Sequence, residues 1–221
     1  MRRFKIENLL DLNRTIASGL FKNYIYPWEV LGNISDFINY IGPSLPKSDF
    51  EEVYEKVWIS KYAKVDSNSL INGPSIIDSE ADIRFGAFIR GSVIVGKKSV
   101  VGNSTELKNC VLFDEVQAPH FNYVGDSVMG FRAHIGAGVV LSNVKSDKSD
   151  VVVRFQGQNL QTNLRKFGAV LGDYVEVGCN SILNPGTLVG KRSTIYPLTM
   201  VRGCVEERKI VKTNGTIVDK T

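Results

Sequence analysis

The sequence predicts a mainly β chain wound as a parallel β-helix of hexapeptide repeats, with a helical segment in front of it. Three observations predict this: an aliphatic residue recurs every six positions, glycine often follows it, and the fifth position of the hexad is usually small or β-branched. Stepping by six from Ile59 meets Val65, Ile71, Ile77, Ile83, Ile89, Val95, Val101 and Leu107 without a miss. After a five-residue step the series resumes at Leu112, Ala118 and Val124, and after another it runs Met129, Ile135, Leu141. It breaks there and returns as Leu171, Val177, Leu183, Val189, Ile195 and Val201.

Each hexad is a short strand plus a tight corner. The aliphatic residue points inward, the small residue (Ala63, Ala81, Ala87, Ser99, Thr105, Ala133) fits where the interior narrows, and glycine (Gly96, Gly102, Gly125, Gly130, Gly136) serves the bend. Three hexads make one triangular coil of roughly eighteen residues, and stacked coils bury a continuous core. About six coils are expected between Ile59 and Glu206.

In chain order, residues 1–57 read as helical. Pro27 in "YPWEVLGNISDFINYIG" suits a first helical turn, and Ser48 three residues before Glu51 in "KSDFEEVYEKVW" reads as a capping box. This segment is expected to cap the open end of the β-helix, whose unpaired edge otherwise invites aggregation. The β-helix occupies 58–206. Within it, residues 142–170 leave the repeat as a polar, basic excursion, the kind of long loop that tends to carry function. Residues 207–221 form a C-terminal tail.

Composition narrows the function. The net charge of +4 is modest, and no run of Lys or Arg makes the stripe expected of a nucleic-acid groove, so a small anion is a better partner. No apolar stretch is long enough to cross a bilayer, and "MRRFKIENLLDL" carries charges where a signal peptide needs an apolar core. Cys110, Cys179 and Cys204 are an odd set without paired spacing, which fits reduced thiols and a cytoplasmic address.

Polar residues break the repeat in one region, with Arg90, Lys108, His120 and Tyr123 on successive coils. Such residues converge on neighbouring faces or meet across a subunit boundary. The stretch "ELKNCVLFDEVQAPHFNYVGDSVMGFRAHIGAGVVLSN" resembles the C-terminal acetyltransferase domain of the bifunctional glucosamine-1-phosphate acetyltransferase and N-acetylglucosamine-1-phosphate uridyltransferase. The similarity runs from about Arg84 to Val201 and includes both five-residue steps.

The resemblance implies a left-handed coil, a homotrimer, and acetyl-CoA as cosubstrate. It also implies site residues. Arg90 in "GAFIRGSV" and Lys108 in "TELK" would hold a sugar phosphate, and His120 would be the base. Tyr123, Asn143 in "LSN" and Lys166 in "RKFGAVLG" would complete the sugar site. His134 stands where the family has a sugar-contacting asparagine, and Val144 where it has a tyrosine, so the sugar or its pose differs. Ala137, Gly138 and Cys179 are small enough to leave a groove for the pantetheine arm.

The chemistry fits these residue types. Acetyl transfer to an amino sugar needs a neutral amine, and an imidazole is suited to take its proton near neutral pH. Arg and Lys supply charge-assisted hydrogen bonds to phosphate. No glycine-rich phosphate loop precedes the coils, so uridylyl transfer is not expected. The alternative function is a non-catalytic sugar-phosphate-binding or trimeric scaffold module related to sugar-phosphate nucleotidyltransferases. A metal-dependent carbonic anhydrase on the same β-helix needs three histidine ligands; the chain has His120 and His134 alone, so no metal site is expected.

Overall fold

A computed structural model describes residues 1–221. The hexads fold as strands of two to four residues that stack in parallel on three faces. On the first face the inward residues Ile59, Ile77, Val95, Leu112, Met129, Leu171, Val189 and Val205 lie in register from coil to coil. The second face aligns Val65, Ile83, Val101, Ala118, Ile135, Val177, Ile195 and Val211. The third aligns Ile71, Ile89, Leu107, Val124, Leu141, Leu183 and Val201. The aliphatic column read from the sequence is the core.

The stack is longer than expected. Eight strands line the first face rather than about six coils: the series from Ile59 to Val201 already fills seven, and Val205 adds an eighth after a shortened four-residue step from Val201. The expected tail is structured too: Lys209–Val211 continues the second face and Ile217–Asp219 pairs with it antiparallel.

Both five-residue steps have a structural consequence. Glu106–Leu112 and Tyr123–Met129 are seven-residue strands that continue from the third face into the first, where other coils break at the corner. They pair along their length, Lys108 beside Gly125 and Cys110 beside Ser127. Dropping one residue removes the slack of the turn, so ladder hydrogen bonding carries on through the bend.

The N-terminal segment departs from its expected role. It contains short helical pieces, the longest Ile34–Ile41, and Pro27 does open the turn Pro27–Val30. Instead of capping an end, it lies along the first face. Leu9 O accepts from Asp173 N at 3.0 Å and Arg14 O from Asp114 N at 2.9 Å. Phe21 meets Phe113 edge-on at 5.5 Å, and Trp28 packs 5.7 Å from Phe167. This strap buries the outward row Ile76, Ile94, Val111, Val128, Val170 and Leu188 completely. Full burial of such a side chain stabilises by about 1.5–3 kcal/mol, so the strap and the coils hold each other.

The stretch read as a capped helix is a β-hairpin. Phe50–Tyr54 runs antiparallel to Val57–Ser60, and the Ser48–Glu51 pair caps nothing. This hairpin protects the edge of the first face alone. The excursion also holds a hairpin, Val152–Phe155 with Gln158–Gln161, turning at Gln156 and Gly157, both with positive φ as tight hairpin turns require. Val151 and Val153 are fully buried and Phe155 packs edge-on against Phe4 at 5.0 Å, so the loop is anchored to the body.

Candidate functional site

The expected site residues fall into two groups at opposite edges of the third face. The corner between third and first faces carries Arg90, Lys108 and Asn143, with Tyr123 reaching toward it. Arg90 and Lys108 stack one above the other, and Gly125 follows in the same column. A methyl group on Gly125 would lie 2.6 Å from the Tyr123 hydroxyl and 2.8 Å from the Asn143 amide. The glycine is therefore the space those two groups fill.

Two carboxylates that the sequence reading did not single out organise this corner. Asp126 is buried and accepts from Lys108 Nζ at 3.0 Å, from Asn109 Nδ2 at 2.9 Å and from Asn143 Nδ2. Glu106 accepts from Arg90 Nη1 at 2.6 Å. Asn109 also donates to Leu31 O at 3.1 Å, tying the corner to the strap. Burial, with Asp126 and Glu106 adding to it, pushes the Tyr123 phenol above its ordinary value, so it is a neutral hydroxyl through the neutral range. Glu106, chiefly through its hydrogen bond, likewise raises the Arg90 guanidinium. Asp126 ends "HFNYVGD" and lies within the strand Tyr123–Met129 at the five-residue step, which was the available signal.

The second group lies on the corner between second and third faces. His120 is exposed, with no partner for its ring. Its backbone is held: Asn122 Oδ1 accepts from His120 N at 3.1 Å, and buried Asn122 donates to Gly136 O at 2.7 Å. Beneath it, a methyl group on Gly102 would stand 1.6 Å from Pro119 O, so only glycine lets the Pro119–His120 corner stack there. Above it runs the column expected to hold the cofactor. Gly138 N donates to His120 O at 3.1 Å, Asn180 N to Ala137 O at 2.8 Å, and Leu198 N to Cys179 O at 2.9 Å. Ala137 and Gly138 are half-buried and Cys179 is exposed.

His134 stands apart, whereas Lys166 borders the first corner: next to it, Phe167 N donates to Asn143 O at 3.0 Å and Gly168 N to Asp126 O at 2.8 Å. His134 projects from the second face, stacked on Gln117, and its Nδ1 lies 2.7 Å from Glu176 Oε2. Lys166 is exposed at the end of the excursion, where it bridges to Val144. Thus the single chain unites Arg90, Lys108, Tyr123 and Asn143, and separately aligns His120 with Ala137, Gly138 and Cys179. It does not bring the histidine to the cations.

A three-faced stack of hexads with a polar corner defines the chain as a hexapeptide-repeat β-helix protein. Residues 71–211 match the family described as GMPPB C-terminal domain, and the chain belongs to that family. It is 30% identical over 97% of its length to the "Bifunctional protein GlmU" of Methanococcus maripaludis (strain C5 / ATCC BAA-1333), covering 52% of that protein. It is 31% identical over 66% of its length to the "Bifunctional sugar-1-phosphate nucleotidylyltransferase/acetyltransferase" of Sulfurisphaera tokodaii, covering 41% of it. The chain thus spans about half the length of the curated relatives it matches. Among solved structures, the acetyltransferase domain of PglB from Neisseria gonorrhoeae FA1090 in complex with acetyl coenzyme A aligns over 74% of this chain and 57% of that one, at 17% identity and a TM-score of 0.29. The resemblance read from the motifs is borne out by the GlmU relatives. No helix is long and apolar enough to cross a membrane.

Proposed function

We propose that the chain is an acetyl-CoA-dependent N-acetyltransferase acting on an amino-sugar 1-phosphate or a nucleotide-linked amino sugar, with His120 as general base. The observation that carries this reading is the state of His120: an exposed imidazole, free of any partner, on a backbone fixed by Asn122 and next in line to a column of small residues. Similarity to relatives named for acetyl transfer supports the reaction class.

In this reading the thioester lies along Ala137, Gly138 and Cys179. The acceptor nitrogen attacks its carbonyl carbon while His120 takes the amine proton. The C–S bond then breaks, and the departing thiolate takes a proton to leave free CoA. Arg90, Lys108, Tyr123, Asn143 and Lys166 bind the acceptor. His134, whose Nδ1 is held by Glu176, would face the sugar with its other ring nitrogen, Nε2. The two corners meet when one copy presents its His120 edge to the cationic edge of the next, which is the homotrimer the resemblance implies. An exposed apolar row along the third face and its His120 corner supports such contact: Leu70, Phe121, Ile182, Leu198 and Met200. Composition supports a cytoplasmic address.

The test is release of free CoA from acetyl-CoA in the presence of glucosamine 1-phosphate or a nucleotide-linked amino sugar. Loss of a positioned base costs about 10²–10⁴-fold, the fall expected for His120→Ala. Absence of CoA release with every such acceptor, or full activity of His120→Ala, overturns the proposal.

A second reading, a non-catalytic sugar-phosphate-binding or scaffold module, is favoured by one observation. Arg90 and Lys108 are already neutralised by Glu106 and Asp126. Under it the wild type shows no turnover and His120→Ala keeps its ligand affinity.

A further inference from the structure

Three side chains of the cationic corner converge on one buried carboxylate. Lys108 Nζ reaches both oxygens of Asp126, at 3.2 and 3.0 Å, Asn109 Nδ2 lies 2.9 Å from Oδ1, and Asn143 Nδ2 meets Oδ2. The Asp126 side chain is 5% exposed and that of Lys108 24%, so the carboxylate lies behind the lysine it holds. Two further segments are tied to the same point. Asn109 Nδ2 donates to Leu31 O of the strap at 3.1 Å, and Asp126 O accepts from Gly168 N, at the end of the excursion, at 2.8 Å. Asn109 and Asp126 occupy equivalent bends of the paired seven-residue strands, with φ of 48° and 46°, a left-handed backbone in which Asn and Asp are enriched among non-glycine residues.

We infer that Asp126 is a positioning residue of the acceptor site, fixing Lys108 and Asn143 for a ligand that it does not itself touch. An ionised carboxylate only accepts hydrogen bonds, so it makes Asn143 turn Nδ2 toward it and leaves Oδ1 to accept from a sugar hydroxyl or amine. The Lys108 ammonium has three donors, and pairing with one carboxylate keeps some of them for a phosphate oxygen. Without that pairing the ligand would have to order a long, flexible side chain itself. An amide cannot replace the carboxylate here: three donors meet two oxygens, and a nitrogen at either position sets donor against donor. The inference rests on the proposed function for the identity of the acceptor, while its binding test is independent of turnover.

The test is equilibrium binding of glucosamine 1-phosphate and UDP-glucosamine to the full chain, with Asp126→Asn compared with Asp173→Asn. Asparagine has the shape of aspartate and accepts a positive φ, so the first variant keeps its backbone. The second is a matched control on the corner between first and second faces, where Asp173 is buried, lies 2.9 Å from Lys191 Nζ and accepts from Phe131 N at 2.9 Å. For the probe that the wild type binds, Asp126→Asn is expected to weaken binding about tenfold or more, and Asp173→Asn less than about twofold. In a Lys108→Ala background the Asp126→Asn loss should shrink to about threefold or less, since one group through which it acts is gone. In turnover, the KM for the acceptor should rise and that for acetyl-CoA should not. The inference is overturned if Asp126→Asn binds like the wild type, if Asp173→Asn loses as much, if the Asp126 and Lys108 losses multiply in full, or if the wild type binds neither probe. Binding that follows these expectations in a protein that never releases CoA would sink the acetyltransferase reading and leave this one standing. CoA release that depends on His120, with binding unimpaired in Asp126→Asn, would do the reverse.

Discussion

At the scale of single residues, the molecule carries one buried polar atom without a partner, Asp78 Oδ2. The other oxygen of that carboxyl accepts from Ser79 N at 2.7 Å. Burial raises the Asp78 pKa, Asp114 adds to the rise, and the Ser79 amide and Lys97 oppose it. A carboxyl whose folded pKa is raised favours folding below its unfolded pKa, near 3.8, and loses that contribution as pH climbs through the folded value. Asp78→Asn is therefore expected to stabilise by about 1 kcal/mol at pH 7, with the gain vanishing in acid. Urea unfolding at both pH values checks it, and a variant less stable at both would show that the charge is not the burden. The cysteines make a second case. Cys110 is buried with its pKa raised by desolvation, and burial pushes Cys204 up to about 12, whereas Cys179 is exposed beside the proposed thioester path. One thiol per chain should react rapidly with iodoacetamide, identified as Cys179 by peptide mass, and acetyl-CoA should slow it. Modification unaffected by acetyl-CoA would remove Cys179 from the donor path.

At the scale of elements, what was legible in the sequence was whatever repeats. Inward aliphatics at six-residue spacing specify the coils because each sees the same environment one coil later. The five-residue steps marked the corner where Lys108, Asn109 and Asp126 gather. Apart from the helix Ile34–Ile41, the strap was not legible, since its pieces are three- and four-residue turns whose partners are outward residues such as Ile94 and Val128, far away in sequence. Ser48 and Glu51 carried a genuine local helix signal, but pairing with Val57–Ser60 supplies ladder bonds to the sheet edge and overrides it. The carboxylate partners of Arg90 and Lys108 were missed because they arise from stacking: Asp126 is eighteen residues from Lys108. The strap also yields a stability prediction. Trp28 is nearly fully buried between Tyr26 and Phe167, so Trp28→Ala should cost about 3–5 kcal/mol in denaturant unfolding. A loss under 1 kcal/mol would mean that the strap is a loosely held cover.

At the scale of the whole molecule, the third face separates the histidine from the cations. A rigid β-helix cannot fold that face to close the gap, because its width is set by the inward aliphatics it covers. Only a second copy brings the edges together, and it would bury Leu198 and Met200, exposed at 69% and 68% in the single chain. In the proposed trimer, cyclic three-fold symmetry would make each interface join one protomer's His120 to its neighbour's Lys108. His120→Ala and Lys108→Ala should each be inactive alone. Unfolded together in equal amounts and refolded, three quarters of random trimers are mixed, and each mixed trimer holds one interface in three with both residues intact. The mixture should therefore recover about one quarter of wild-type activity. Recovery of nothing from refolded trimers would mean that both residues serve within one chain, and activity of either variant alone would mean that its residue serves no reaction. Neither outcome fits a site divided between two edges.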